Sequence, residues 1–186
     1  MRIIGGSLKG KKILLPIDNL TRPLRDLVKE SIFNVLEHSN KFSFSLLHSN
    51  ILDLFSGSGS FGIEAISRGA KKVTFLENHT LAYKILEKNI INLSCQNSAK
   101  ILNKCSYQFL ENLSNNEIKF DLIFLDPPYK EKRINELINH IINKKILSDN
   151  GIIILHRHKK DNVKLTSKFN LIDERIYGIS KIIIGN

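Results

Sequence analysis

Cysteine is scarce in this sequence of 186 residues, where only Cys95 and Cys105 are present. Neither their spacing nor their neighbours indicate a disulfide framework or a metal site, so they predict a protein of a reducing compartment. No segment approaches the roughly 20 apolar residues of a membrane span, and the apolar run after Met1 is too short for a signal peptide. We therefore expect a soluble, cytoplasmic monomer with no membrane partner and no metal.

Acidic residues are also in deficit, with 18 Asp and Glu against 28 Lys and Arg, which gives a formal net charge of +10. A positive charge of this size on a chain that fits one ordinary domain indicates a polyanionic partner, such as a nucleic acid. Charge alone does not identify which polyanion is bound.

Short apolar runs alternate with helical patterns from residue 51 onward. Near-continuous apolar runs, typical of strands covered on both faces, occupy residues 51–55, 73–77, 122–125 and 152–155. Helical spacing occupies residues 61–68, 80–93 and 131–143. This alternation predicts an α/β fold with a parallel sheet, and residues 171–177 and 179–184 predict a closing antiparallel hairpin.

The first 40 residues have a different pattern. Residues 2–8 and 11–15 predict a small β-hairpin turning at Gly10, and a helix is expected from residues 21–23 onward. The helix should bury an apolar stripe and expose polar residues; the stripe is Leu27, Ile32, Val35 and Leu36, and the exposed residues are Arg25, Lys29 and Glu30. We expect residues 1–40 to form a basic extension that binds the polyanion and residues 41–186 to form the main domain.

The most informative segment is Asp126-Pro127-Pro128-Tyr129, which ends an apolar strand. Proline fixes its own φ and makes the preceding residue extended, so the Asp126 carboxylate and the Pro127 carbonyl can face one donor together. The exocyclic amine of a nucleobase is such a donor, and Tyr129 offers a ring on which an unstacked base can lie. A stiff strand-ending turn without chemistry is the simpler alternative.

A second motif lies where the first apolar strand passes into a helix. Its glycines, Gly57, Gly59 and Gly62, have the G-x-G-x-x-G spacing, and Glu77 follows about 20 residues later, which is typical of dinucleotide folds. However, Asp53 stands just before the glycines, where it would repel a pyrophosphate and attract an ammonium group. S-adenosylmethionine carries both an amino acid and a ribose, so methyl transfer is favoured over nicotinamide chemistry.

These motifs, with others along the chain, resemble the RsmD family, whose members methylate N2 of a guanine in 16S (small-subunit) ribosomal RNA. The resemblance covers residues 2 to about 184, with the motifs in order. It is carried by residues 3–6, 22–23, 30–34, 53–59, 64–70 and 126–129. It implies a Rossmann-like class I S-adenosylmethionine-dependent methyltransferase with a mostly parallel seven-stranded sheet, acting on ribosomal RNA or an assembling small subunit.

The resemblance also implies a role for individual residues. In the catalytic loop, Asp126 and Pro127 hold the amine, Pro128 stiffens the turn and Tyr129 stacks on the flipped base. The residues expected to bind the cofactor are Asp53, Phe55, Gly57, Gly59, Glu77, Asn78, Cys105 and Ser106. Asp53 would order the glycine loop and pair with the ammonium group. Glu77 would accept hydrogen bonds from the ribose hydroxyls. The residues expected to grip RNA phosphates are Lys9, Lys11, Lys12, Arg22, Arg25, Lys159 and Lys160.

Three segments depart from the family pattern. Cys105 stands where a polar or acidic residue usually reads the adenine, so Ser106 or backbone groups are the alternatives. Residues 22–26 lack the usual hydroxyl residues after the proline. His156-Arg157-His158 replaces a commonly acidic position, and two interpretations remain open: surface charge facing RNA, or simply the end of a strand.

No Cys, Ser–His pair or metal cluster is placed to form a covalent intermediate, so we expect direct in-line transfer to the amine. Three alternatives remain open. They are an adenine-N6 methyltransferase acting on DNA or RNA, a nicotinamide-dependent Rossmann enzyme, and an RNA-binding protein without catalytic activity.

Overall fold

The computed structural model describes residues 1–17, 24–113 and 118–186, and it alternates strands and helices from Asn50 onward. The strands are β1 Asn50–Asp53, β2 Lys72–Leu76, β3 Ala99–Leu102, β4 Phe120–Leu125, β5 Leu147–His158, β6 Leu171–Tyr177 and β7 Ser180–Gly185. The helices are α1 Asp26–His38, α2 Ser60–Ser67, α3 Thr80–Asn92, α4 Ser106–Asn112 and α5 Ile134–Asn143, with short 3-10 turns at Gly6–Leu8 and Gln96–Ser98.

All seven strands form one sheet in the order β3-β2-β1-β4-β5-β7-β6. The first five strands of that order run parallel, whereas β7 is antiparallel to both β5 and β6. The predicted parallel sheet with a closing antiparallel hairpin is therefore confirmed. The strand order reverses between β1 and β4, and a crevice at the carboxyl end of such a switch point is where α/β folds bind ligands.

Apolar side chains alternate between the two faces of the central strands. In β1, Ile51 packs into the core cluster that contains α1 and α2, while the next residue, Leu52, packs into the cluster under α5. Burial on both faces explains why β1 and β4 are near-continuous apolar runs.

Two elements, β3 and α4, are absent from the sequence prediction. The four residues of β3 are half-buried or exposed at the sheet edge, so the strand lacks the apolar run that marked its neighbours. Helix α4 has only seven residues, fewer than a helical pattern needs to stand out.

The N-terminal segment pairs with itself, but over a shorter length than the predicted hairpin. Arg2 and Lys12 form an isolated antiparallel bridge, and the Ile3 amide donates to the Lys11 carbonyl over 3.0 Å. A 3-10 turn occupies Gly6–Leu8, where the first strand was expected to continue. Ile3 and Ile13 are buried in the same core cluster as residues of α1 and β1. The N-terminal segment therefore shares a hydrophobic core with the seven-stranded sheet.

Helix α1 buries three of the four residues of the predicted stripe, Ile32, Val35 and Leu36. Leu27, expected in the core, is 69% exposed, and Lys29, expected at the surface, is 0% exposed. Val28 takes the buried place that was expected for Leu27, and Lys29 lies next to it on the buried face. Its Nζ finds polar partners there, so the wrong assignment reflects a buried charge that apolar periodicity cannot reveal.

Glu64 of α2 is the buried partner of Lys29, with the Lys29 Nζ 3.3 Å from its Oε2. The same carboxylate accepts hydrogen bonds of 2.8 Å from the amides of Ile4 and Gly5 and of 2.9 Å from Nε of Arg68. One carboxylate thus joins the N-terminal segment, α1 and α2. Buried charges persist only when paired and hydrogen-bonded, as Glu64 is.

We expect Lys29→Met to lower the free energy of unfolding by about 3 kcal/mol, because removing one partner of a buried ion pair leaves the other undercompensated. Burial already lowers the pKa of Lys29, and the Glu64 carboxylate counters that effect. Urea denaturation of both proteins measures the difference.

The matched control is Lys88→Met on α3, an exposed helical lysine, which should change stability by less than about 0.5 kcal/mol. Equal stabilities for the two variants would contradict a stabilising role for the Lys29 to Glu64 pair.

Candidate active site

Three carboxylates meet at the carboxyl edge of the sheet. Asp53 ends β1, and Glu77 and Asp126 directly follow the neighbouring strands β2 and β4. Asp53 lies in register with Phe75 on one side and Phe124 on the other. Parallel pairing therefore brings together, at the switch point, acidic residues that are far apart in sequence.

The loop between β1 and α2 contains two glycines whose backbone angles other residues rarely adopt. Gly57 and Gly59 have φ of 53° and 82°, in the left-handed region that side chains disfavour. A Cβ at Gly59 would also lie 2.4 Å from Cδ1 of Leu86. The loop is closed by the amide of Gly59 donating to the Ser56 carbonyl over 2.7 Å.

Glu77 fixes this loop through its side chain. Its Oε2 accepts the amide of Gly57 and its Oε1 accepts the amide of His79, both over 2.7 Å. Each oxygen keeps a second lone pair, so the carboxylate can still accept hydroxyl donors. The sequence prediction gave the ordering of the loop to Asp53, whereas in the structure it is the Glu77 side chain that bonds a loop amide.

Asp53 is 1% exposed, and neither of its carboxylate oxygens has a hydrogen-bond partner among the described residues. Burial, together with the carboxylate of Asp126, raises the pKa of Asp53 to about 8. The nearby amide of Gly62 and hydroxyl of Ser56 lower it only in part, and that hydroxyl donates to the Asp53 backbone carbonyl instead. Such a carboxylate is a ready partner for a cation.

The other expected cofactor residues lie at the same edge with different exposures. Phe55 is half-buried and packs on the core cluster under α5, while Asn78 is exposed. Cys105 is half-buried at the N-cap of α4, and the buried hydroxyl of Ser106 donates to the carbonyl of Leu54. Ser106 thus ties the start of α4 to the end of β1, beside the glycine loop.

The Asp126 to Tyr129 segment leaves β4 with its acidic side chain 18% exposed. Pro127 is buried, Pro128 is exposed and Tyr129 is half-buried. Oδ1 of Asp126 lies 2.7 Å from Nδ1 of His156, and Nε2 of that ring lies 2.9 Å from the Ser180 hydroxyl. Asp126 is also close enough to Asp53 to raise its pKa, so the two motifs face each other.

Of the two interpretations of residues 156–158, the end of a strand agrees with the structure, since β5 ends at His158, whereas surface charge does not hold for Arg157. Its side chain is 2% exposed and donates to the carbonyls of Pro128, Tyr129 and Glu131 at 3.1, 2.9 and 3.1 Å. Asp161 pairs with the same guanidinium. An Arg near a strand end can be exposed or buried, and the sequence pattern does not distinguish these cases.

The ring of Tyr129 stands between two imidazoles. Its centroid is 6.1 Å from that of His156 and 5.4 Å from that of His158, with edge-on geometry in both pairs. Lys159 and Lys160, both exposed, follow immediately and bring positive charge to this end of β5.

The remaining candidate RNA contacts are exposed where they can be described. Lys9, Lys11, Lys12 and Arg25 are all exposed, and Arg22 lies outside the described residues. The sequence prediction missed a basic group next to Tyr129, which consists of Lys130, Lys132 and Arg133, all exposed. Arg133 also lies over the ring of Tyr107, 3.9 Å from its centroid. Their position next to Tyr129 in the sequence could have predicted that they lie near the site.

The residues present fit S-adenosylmethionine. The buried Asp53 carboxyl group can pair with an ammonium group once it loses its proton, the glycine loop lets a ligand approach the backbone, and Glu77 offers acceptors for ribose hydroxyls. Within the ranges that the structure covers, no group of three or more His, Cys, Asp or Glu is arranged to hold a metal ion. Among the same residues, no helix is long and apolar enough to cross a membrane.

Comparisons with known proteins agree with this geometry. The Haemophilus influenzae ribosomal RNA small subunit methyltransferase D is 35% identical over 96% of this chain and 90% of its own length. The Escherichia coli protein of the same name is 29% identical over 96% of this chain and 85% of its own. The solved structure of E. coli yhhF superposes with a TM-score of 0.83 at 27% identity, covering 100% of this chain and 96% of that one.

The sequence profile of the family described as conserved hypothetical protein 95 matches residues 1–186, the whole chain. With this match and relatives of similar length, the chain belongs to the conserved hypothetical protein 95 family, the RsmD family of S-adenosylmethionine-dependent methyltransferases.

Proposed function

We propose that this protein transfers a methyl group from S-adenosylmethionine to the exocyclic N2 amine of a guanine in small-subunit (16S) ribosomal RNA. The observation that carries the proposal is the juxtaposition of two motifs at one sheet edge. The unpartnered carboxylate of Asp53 can hold the amino-acid end of a cofactor, and Asp126 with Pro127 can hold an amine beside it.

Different residues of the chain bind different parts of the cofactor. Asp53 pairs with the ammonium group, and Gly57 and Gly59 line the methionine portion. Glu77 accepts the ribose hydroxyls while keeping its bonds to the loop. The adenine lies among the remaining cofactor residues, which are Phe55, Asn78, Cys105 and Ser106.

When bound, S-adenosylmethionine supplies an activated methyl group on a sulfonium, which is transferred in line to the amine nitrogen. The lone pair of that nitrogen is delocalised into the base, so the protein's task is orientation. Asp126 and the Pro127 carbonyl accept the two amine hydrogens, and Tyr129 stacks on the extruded base, worth about 1–3 kcal/mol. The surplus proton leaves to Asp126 or to water.

Small-subunit ribosomal RNA as the substrate is supported by the relatives named as small-subunit ribosomal RNA methyltransferases. The choice of guanine N2 rests on the family resemblance carried by the sequence motifs. A nicotinamide cofactor would place its pyrophosphate against Asp53. We assign residues 1–40 as the basic extension that grips RNA, and residues 41–186 as the catalytic domain.

The decisive test incubates the protein with labelled S-adenosylmethionine and small subunits from cells that lack this methylation, followed by mapping of the modified nucleotide. We expect label on N2 of a single guanine. Asp126→Ala should abolish the transfer while leaving cofactor affinity within about twofold, because the residue orients the amine rather than the cofactor.

Naked ribosomal RNA, tested in parallel, identifies whether the assembled particle is required. Label on adenine N6 would refute the guanine assignment, and transfer by Asp126→Ala at the wild-type rate would refute the orientation mechanism.

Cofactor affinity should depend on pH through Asp53. The pKa of this carboxyl is raised to about 8, so it is mostly neutral at pH 7 and must lose a proton to pair with an ammonium group. Binding then releases a proton, and affinity should rise between about pH 6 and pH 7.5, approaching tenfold per pH unit. Calorimetric titration with S-adenosylhomocysteine, which has the same amino-acid end, measures it.

Asp53→Asn serves as the control, because its amide cannot ionise. We expect weaker binding that is flat over the same pH range, and a wild-type profile that is equally flat would show that Asp53 does not meet the ammonium group. The variant should also gain folding stability relative to wild type as pH rises from about 4 to 8, since ionising a buried carboxylate disfavours the native state.

The N-terminal lysines should bind RNA phosphates. We expect Lys9/Lys11/Lys12→Ala to weaken RNA binding and to flatten the plot of log affinity against log salt concentration, by up to about 0.7–0.9 for each phosphate that the variant no longer neutralises.

A second triple variant, Lys71/Lys84/Lys88→Ala, removes the same charge from three other positions on the chain. Both proteins should be titrated with the same ribosomal RNA fragment. Equal slopes for the two variants would count against a phosphate-binding role for the N-terminal lysines.

A further inference from the structure

Two neighbouring buried residues of β5 hold the loop that follows β4. Leu155 pairs with Leu125, so His156 and Arg157 lie beside the point where the chain leaves β4 as Asp126. Successive side chains of a strand point to opposite faces. His156 and Arg157, 5% and 2% exposed, therefore reach the loop from the two sides of the sheet.

His156 contacts the side chain of the loop. Its Nδ1 lies 2.7 Å from Oδ1 of Asp126 and its Nε2 lies 2.9 Å from the Ser180 hydroxyl. A carboxylate oxygen accepts hydrogen bonds, so we assign a proton to Nδ1, which donates to Asp126. The Ser180 hydroxyl is within hydrogen-bond distance of Nε2 on the other side of the ring. This arrangement occupies Oδ1 of Asp126 and leaves Oδ2 to accept a hydrogen of the substrate amine.

Arg157 contacts the backbone of the loop. Its two terminal nitrogens donate to the carbonyls of Pro128, Tyr129 and Glu131, and its charge is balanced by Asp161. Proline fixes φ but leaves ψ free. The planar guanidinium supplies several donors in a fixed fork, which a lysine ammonium does not, so it sets the carbonyl directions that the prolines leave open.

We propose that His156 and Arg157 are positioning residues for methyl transfer, a role that rests on the function proposed above. His156 orients the Asp126 carboxylate through one oxygen, and Arg157 holds the backbone that follows Pro127, through the carbonyls of Pro128, Tyr129 and Glu131. Together they fix the amine acceptors and the stacking ring before the base arrives. Preorganisation of this kind matters because a displacement of about 1 Å at a reacting centre can cost about 100-fold in rate.

The test measures single-turnover transfer and cofactor affinity for three variants. His156→Ala should slow transfer by about 10- to 100-fold with cofactor affinity unchanged within about twofold. His156→Asn, whose amide N–H replaces Nδ1–H, should recover most of that activity. Arg157→Lys keeps the charge but not the fork, and should slow transfer by about 100-fold at unchanged cofactor affinity.

The matched controls are His140→Asn on α5 and Arg175→Lys on β6, which should transfer at the wild-type rate. Wild-type rates for His156→Ala and Arg157→Lys would overturn the proposal. So would loss of cofactor binding in Arg157→Lys, because Arg157 would then support the whole fold rather than the loop.

A second readout is independent of activity. Nitrogen NMR of imidazole-labelled protein without cofactor should show a proton on Nδ1 of His156, and Ser180→Ala should shift the Nε2 signal by removing its hydrogen-bond partner. The Nε2–H tautomer would overturn the proposed role of His156. The wild-type assay separately tests the proposed function: if the wild type methylates adenine instead, the guanine assignment fails, while the ratio of variant to wild-type rates still tests positioning.

Discussion

The parallel pairing of β1 with β2 and β4 is the constraint on which the rest of the site depends. Parallel strands end at the same edge, so each residue that follows a central strand faces the same crevice. Asp53, Glu77 and Asp126 are separated by 24 and 49 positions in the sequence. They become neighbours only because the apolar runs before them are buried in register.

The three carboxylates at this edge have three different environments. Glu77 accepts hydrogen bonds from two backbone amides, and Asp126 is hydrogen-bonded to an imidazole. Asp53 has no hydrogen-bond donor of its own among the described residues, and burial raises its pKa instead. Although the protein's formal net charge is +10, Asp53 lacks a positively charged partner in the part of this site that the structure describes. A bound cation would supply that partner.

Sequence patterns predicted the sheet, its closing hairpin and the strand-end acidic residues, because apolar periodicity and strand ends are local signals. They failed where a polar group is buried against a distant partner. Lys29 was predicted to be exposed but pairs with the buried Glu64. Surface charge was one of two interpretations left open for Arg157, whose guanidinium is buried against the carbonyls of Pro128 and Tyr129. Such pairings depend on tertiary structure, as does the half-exposed edge strand β3.

Among the described residues, the hydrogen bonds from Arg157 to the loop after β4 are all to main-chain carbonyls, and Asp161, which pairs with its charge, lies in the segment after β5. Such a grip does not depend on which side chains residues 129–131 carry, so those side chains can change over generations without loosening the loop. Selection for a different nucleotide or a different flanking sequence could then act on the substrate-facing side chains alone. The main-chain bonds of Arg157 thus hold the loop in place and leave its side chains free to change during evolution.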